Sequence, residues 1–186
     1  VDSTNDLITF TGANVQIIDG TGTTACDGTC NGLGNLIVGY DEDDGTDVKD
    51  GAHNIVVGSF NSYTDEAYGG VVVGYNNSIG AIYSSALGGG GNNAAAQFSL
   101  IVGGGNNLAS EQGAAIMGGY QNTASGSFST VSGGTINIAS GTSSSIAGGF
   151  SNTASGSYSS ASGGSGNTAS GQSSVVSAGL NNQSTN

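Results

Sequence analysis

The sequence predicts an all-β chain folded as a parallel β-solenoid of about ten coils with 15-residue repeats, behind an N-terminal capping segment. Three observations predict it. Gly recurs at 74, 89, 104, 119, 134, 149, 164 and 179, every fifteen residues without a slip. Asn stands three residues after each of these Gly positions. Columns of aliphatic residues and of Ala keep the same phase. A fixed period of this kind marks a stacked-coil architecture, in which each coil buries its apolar residues against its neighbours.

Composition agrees with an ordered repeat. The 186 residues include 36 Gly and no Pro or Trp, which taken alone would suit a flexible linker. Hydrophobic residues nevertheless make up 35% and charged ones only 8%, the reverse of a polar disordered chain.

The first segment, 1–34, reads as a strand and cap. It opens at Val1 without a charged n-region and an apolar h-region, so it is expected to be a mature or excised piece with any export signal outside it. Cys26 and Cys30 lie in "CDGTC". No second ligand pair accompanies them, as a zinc site would need, so a local disulfide is expected, favouring an oxidising, extracellular compartment.

In the second segment, 35–73, Gly39 and Gly58 continue the series through coils of nineteen and sixteen residues. The added length implies insertions at "DEDDGTDVKD" and near "SYTDEAY". Asp41, Asp43, Asp44 and Asp47 in the first of these are candidate calcium ligands, because calcium takes several oxygen donors from a flexible loop. A solvated acidic loop is the other reading, and the EF-hand pattern is not matched.

The third segment, 74–186, carries the regular coils. With each repeating Gly as position 1, position 4 is Asn61, Asn77, Asn92, Asn107, Asn122, Asn137, Asn152, Asn167 and Asn182. Side-chain amides stacked at strand spacing can hydrogen-bond from coil to coil, and Asn tolerates the left-handed backbone of a corner. The column is expected to be a structural ladder at a turn. Position 13, from Leu36, Ile55 and Val71 through Ala86, Ile101, Ile116, Val131, Ile146 and Ala161 to Val176, is expected to face inward. Position 6 is held at Ala from Ala94 to Ala169, which implies a narrow interior. Position 10 alternates large and small, as Tyr83, Phe98, Gly113, Phe128, Ser143, Tyr158 and Ser173, as neighbouring core layers do when they share space. The Gly at positions 15, 1 and 8 are expected to make the reversals at positive φ.

Residues flanking the inward column change along the chain, from "LIVG", "IVVG" and "VVVG" to "TVSG" and "SASG". A stripe of outward aliphatics is expected to be covered, either by another copy of the chain or by the segment "DLITFTGANVQIIDG". For a homo-oligomer, the lateral contacts are expected at Ile37, Val56, Val72, Leu87 and Val102. The last coil starts at Gly179 and stops halfway, so an axial contact, end to end in a fibre, is expected as well.

Charge excludes several functions. The formal net charge is −12, and Lys49 is the only basic side chain. Nucleic-acid binding and attraction to an anionic membrane both require Lys and Arg. No apolar run reaches the length of a membrane span. Catalytic motifs are equally scarce. The only His, His53, is expected to serve a turn, and no nucleophile, P-loop or zinc-protease pattern accompanies it.

"NTASGSFSTVSGG", "NIASGTSSSIAGG" and "NTASGSYSSASGG" resemble the head repeats of trimeric autotransporter adhesins, the YadA-like or Hep_Hag group, over roughly Gly74 to Gly179. The period of fifteen is one longer than that family's usual repeat. The resemblance implies a left-handed β-roll, a homotrimer, and display at a cell surface to bind an unidentified surface ligand. The expected function is thus extracellular adhesion or structure, with no catalysis. The alternative is an ice-binding solenoid, since flat arrays of Thr can order water. Position 5 holds Thr only at 123, 153 and 168, with Leu108 and Ile138 interrupting.

Overall fold

The computed structural model describes residues 8, 10–26 and 29–185. Among these there is no helix, and nineteen short strands form two all-parallel sheets. The ten-stranded sheet begins at Leu36–Val38, Ile55–Ser59 and Val71–Tyr75 and ends at Val175–Val176. The nine-stranded sheet runs from Ser62–Tyr63 to Gln183–Ser184. The chain alternates between the sheets, and each strand pairs with its equivalent one coil later, as Thr123 with Ile138 and Ile116 with Val131. The fold is a β-solenoid of about ten turns. A third line of single parallel bridges joins Tyr75, Gly90, Gly105, Tyr120, Thr135, Phe150, Ser165 and Leu180 just beyond the repeating Gly.

Before Leu36 the described residues form no strand. Part of the expected N-terminal strand and cap, at 1–7, 9, 27 and 28, lies outside the described residues. The start of the rod is closed by two pieces. Cys30 and Gly32 donate backbone bonds to Asp65 and Asp50 at 3.0 and 2.8 Å. The tail of the acidic insertion pairs with the first strand of the nine-stranded sheet, Tyr63 donating to Val48 at 2.7 Å and Gly51 to Tyr63 at 2.8 Å. The insertion is therefore also a cap for an otherwise open strand edge.

The interior is built from four side chains per regular coil. Asn122, Ala124, Ser129 and Val131 show the pattern, all fully buried. The Ala column faces inward as its composition requires, and so does the aliphatic column from Ala86 to Val176.

The first three coils correct the sequence reading. Ile37, Val56 and Val72 occupy the inward register, pairing in line with Ala86, while Leu36, Ile55 and Val71 point outward. The cause is one residue. Val72 precedes its corner glycine, Gly74, by two positions, whereas Ala86 precedes Gly89 by three. Counting back from the glycine across that change shifts the strand by one, and a shift of one exchanges its two faces.

Corner residues differ from expectation too. The Asn column is not at positive φ; the residue before it is, as at Asn106, Gln121, Ile136 and Ser151, with φ between 54° and 59°. Position 10 is the second left-handed corner, outside the core, with φ near 57° at Tyr83, Phe98, Phe128 and Tyr158. Gly126, Gly141 and Gly156 at position 8 do not have positive φ; a Cβ there would strike the next coil's backbone. The position 1 glycines need both freedoms. Gly119 has φ 91°, and a Cβ on it would lie 2.5 Å from Asn122 Nδ2 and against the carbonyl of Gly134.

Candidate functional surfaces

The Asn column forms a structural ladder of side chain to backbone bonds. Asn122 Oδ1 accepts the Asn137 N–H at 3.0 Å, and its Nδ2 donates to the carbonyls of Gly118 at 3.1 Å and Gly134 at 2.9 Å. The same set repeats from Asn61 through Asn167, so the buried amides leave no donor or acceptor idle. Direct amide to amide bonds join only alternate neighbours, such as Asn137 to Asn122. Asn182 belongs to the same column and bonds to Asn167 and Ala178. A shorter copy of the device was not foreseen: Asn35 Oδ1 accepts from Asn54 N, and Asn54 Oδ1 from Gly70 N.

The acidic insertion separates its four candidate ligands. Asp43, Asp44 and Asp47 place carboxylate oxygens within 4.8 Å of one another on an exposed loop. The Thr46 hydroxyl and N–H donate to Asp44, which holds its carboxyl below the usual range. Asp41 is drawn elsewhere. It lies 3.3 Å from the Lys49 ammonium and accepts from the Tyr63 hydroxyl at 2.8 Å. Lys49 also donates to the backbone carbonyls of Asp41 and Glu42, so the one cation of the chain is spent on this turn. Burial, and then the Asp41 bond, push the Tyr63 hydroxyl pKa up. Three carboxylates are oxygen donors of the kind calcium takes, with water completing the six to eight that the ion needs.

Cys26 and Cys30 form a disulfide with Cα atoms 5.0 Å apart. A cleft of about 450 Å³ lies between Val15, Ile17 and Ile18 and the outward faces of Leu36 and Ile55. His53 and Asp19 close one side, His53 Nε2 standing 3.6 Å from Asp19 Oδ1. His53 occupies the position 10 corner with φ 55°, and its ring lies over Gly34, where a Cβ would meet Cδ2 at 2.7 Å. Backbone and side-chain bonds from Thr21 lower the Asp19 pKa.

Of the expected lateral contacts, Leu87 and Val102 are exposed at 41% and 40%, but Val56 and Val72 are buried at 1% and 0%. Those two are core residues, for the register reason above, and offer nothing to a partner. Ile37 shares their column and is 41% exposed because it is in the first strand. The exposed aliphatic strip is instead Leu36, Val38, Ile55, Leu87, Val102 and Met117. At the position 10 corner, Tyr83, Phe98, Phe128 and Tyr158 are 49–61% exposed. The alternation of large and small residues there had signalled a core layer; only the positive φ reveals an exterior row.

No helix among the described residues is long and apolar enough to cross a membrane. No protein-family model matches the chain, and no curated protein matches it.

Proposed function

We propose that this chain is an extracellular structural or adhesive rod, a head or fibre unit that self-associates laterally as a homotrimer and presents its remaining sides to a surface. The observation that carries the reading is the exposed aliphatic strip of the ten-stranded sheet, Leu36 to Met117. Water-facing apolar rows of this kind are costly on a free monomer and mark contact surfaces. The disulfide supports an oxidising compartment outside the cell. The resemblance to adhesin head repeats supports threefold association and surface attachment.

Sedimentation equilibrium on the purified chain, with and without calcium, tests the assembly. A trimer mass that falls to the monomer in Leu87→Asp/Val102→Asp is the expected result. A stable monomer at high concentration would sink it. An ice-shaping assay tests the alternative, in which Thr123, Thr153 and Thr168 on the nine-stranded sheet order water. Arrest of ice growth at micromolar protein would put that reading first.

A further inference from the structure

We propose that the corner row of Phe98, Phe128 and Tyr158 is a binding site for a neutral β-1,4-linked polysaccharide running along the rod, a ligand class that rests on the adhesive reading above. The fold does not need these rings. Their corner requires positive φ, and the same column meets that requirement with Gly69, Gly113, Ser143 and Ser173. Phe and Tyr are disfavoured in this conformation. They recover little by burial, since half or more of each ring residue is exposed. Backbone strain kept for rings that pack over the preceding coil's corner yet stay half exposed or more points to a functional position.

Geometry narrows the ligand. The three rings recur every thirty residues, which is two coils, or roughly 9–10 Å along the axis. An extended β-1,4-linked chain turns the same sugar face the same way at every second residue, on a similar spacing. The rings are held firmly for such a task. Phe128 lies over Gly113, where an added Cβ would stand 2.5 Å from Cδ1, and Phe98 stacks on Tyr83 at 5.8 Å with 16° between planes. The following coil carries only Gly113, Ser143 or Ser173 at the corner, too small to cover a ring.

Chemistry narrows it further. Aromatic faces pack on the C–H faces of pyranoses while hydroxyl and amide groups take the sugar hydroxyls. Gln112, Thr142 and Gln172 are exposed one position before the small corner residues Gly113, Ser143 and Ser173 of the alternate coils, and Thr130 is exposed two positions after Phe128. From Phe98 onward Glu111, exposed in the coil between Phe98 and Phe128, is the only Asp, Glu, Lys, Arg or His, so the stretch that carries Phe128 and Tyr158 matches an uncharged partner. Nucleobases also stack on such rings, but their phosphates would meet a chain of net charge −12 with one basic side chain.

The test is calorimetric titration of the intact chain with cellohexaose, and with maltohexaose as the α-linked control, for wild type and Phe128→Ser/Tyr158→Ser. Ser occupies this corner at 143 and 173, so the double variant keeps the fold, checked by its melting temperature. The expected result is cellohexaose binding that weakens at least tenfold in the variant, with maltohexaose weaker throughout. Absence of wild-type binding, equal binding by the variant, or equal binding of maltohexaose would overturn it. So would a variant that loses its oligomeric mass, because the row would then be a subunit contact. Wild type that adheres to protein-coated surfaces yet ignores cellohexaose removes this proposal and leaves the adhesive reading intact; adherence to nothing removes both.

Discussion

Asn137 donates its backbone N–H to the side-chain oxygen of Asn122, 3.0 Å away and one full coil earlier. Each coil is thereby fastened to the last by a side chain that has no access to water. Asn122→Ala strands the Asn137 N–H and the carbonyl of Gly118, while the Gly134 carbonyl keeps its bond from the Tyr120 N–H. Each buried group left without a partner costs ~1–3 kcal/mol, so the loss expected is about 2 kcal/mol or more. A urea melt checks this against Ser132→Ala, an exposed change expected within about 0.5 kcal/mol. Equal midpoints for the two would show that the amide carries no structural load.

Ile136 sits at a left-handed corner with φ 59°, where its column otherwise uses Phe60, Asn76, Gly91, Asn106, Gln121, Ser151, Gly166 and Asn181. A β-branched residue is ill suited to that conformation. Ile136→Asn is expected to stabilise the chain by about 1 kcal/mol, raising the melting temperature by about 2–4 °C. A lower melting temperature would mean that the Ile side chain, 39% exposed, contributes packing that outweighs its backbone strain.

Val56 and Val102 separate folding from assembly. Val56→Asp places a carboxylate in the core and is expected to unfold the first coils, with loss of far-UV signal. Val102→Asp puts it on the exposed strip and is expected to lower the sedimenting mass with the circular dichroism unchanged. The opposite pattern would contradict the register of the early coils.

The Asp19 contact predicts an acid-labile cap. Thr21 bonds hold the Asp19 pKa below its unfolded value. A carboxylate so depressed contributes stability above the unfolded value, near 4, and loses it as pH falls through the lowered folded value. Hydrogen exchange in the 15–26 segment, corrected for intrinsic rate, is expected to quicken below about pH 4 in wild type. In Asp19→Asn it should be fast already at neutral pH. Identical profiles for the two proteins would show that this carboxylate does not hold the segment.

Much of the fold was legible because coil stacking writes its geometry at a fixed interval. Gly119 and its equivalents repeat because a Cβ would strike the next coil, and Asn122 and its equivalents because the bond set repeats. What escaped was local phase. The single residue added between Ala86 and Gly89 leaves the Gly spacing at fifteen afterwards, yet it exchanges inward and outward residues in the coils before it. The aromatic row was misplaced for a related reason. Period and size alternation do not distinguish a core column from a corner column; backbone sign does, and Phe128 or Tyr158 would not be the residues chosen to announce a left-handed corner. Among the acidic residues, Asp41 was grouped by proximity in sequence, whereas Lys49 and Tyr63, brought near by the fold, claim it.

Strands lying across the rod, each bonded only to the coils before and after, also determine how the molecule meets mechanical tension. Pulled apart at its two ends, the solenoid is loaded in the peeling direction, so its hydrogen bonds open one coil at a time. Each detached coil of fifteen residues releases about 50 Å of slack chain before the next is engaged. Because the regular coils repeat the same Gly and Asn contacts, successive coils yield at similar force. Stretched from its two ends, a rod of this design lengthens in even steps.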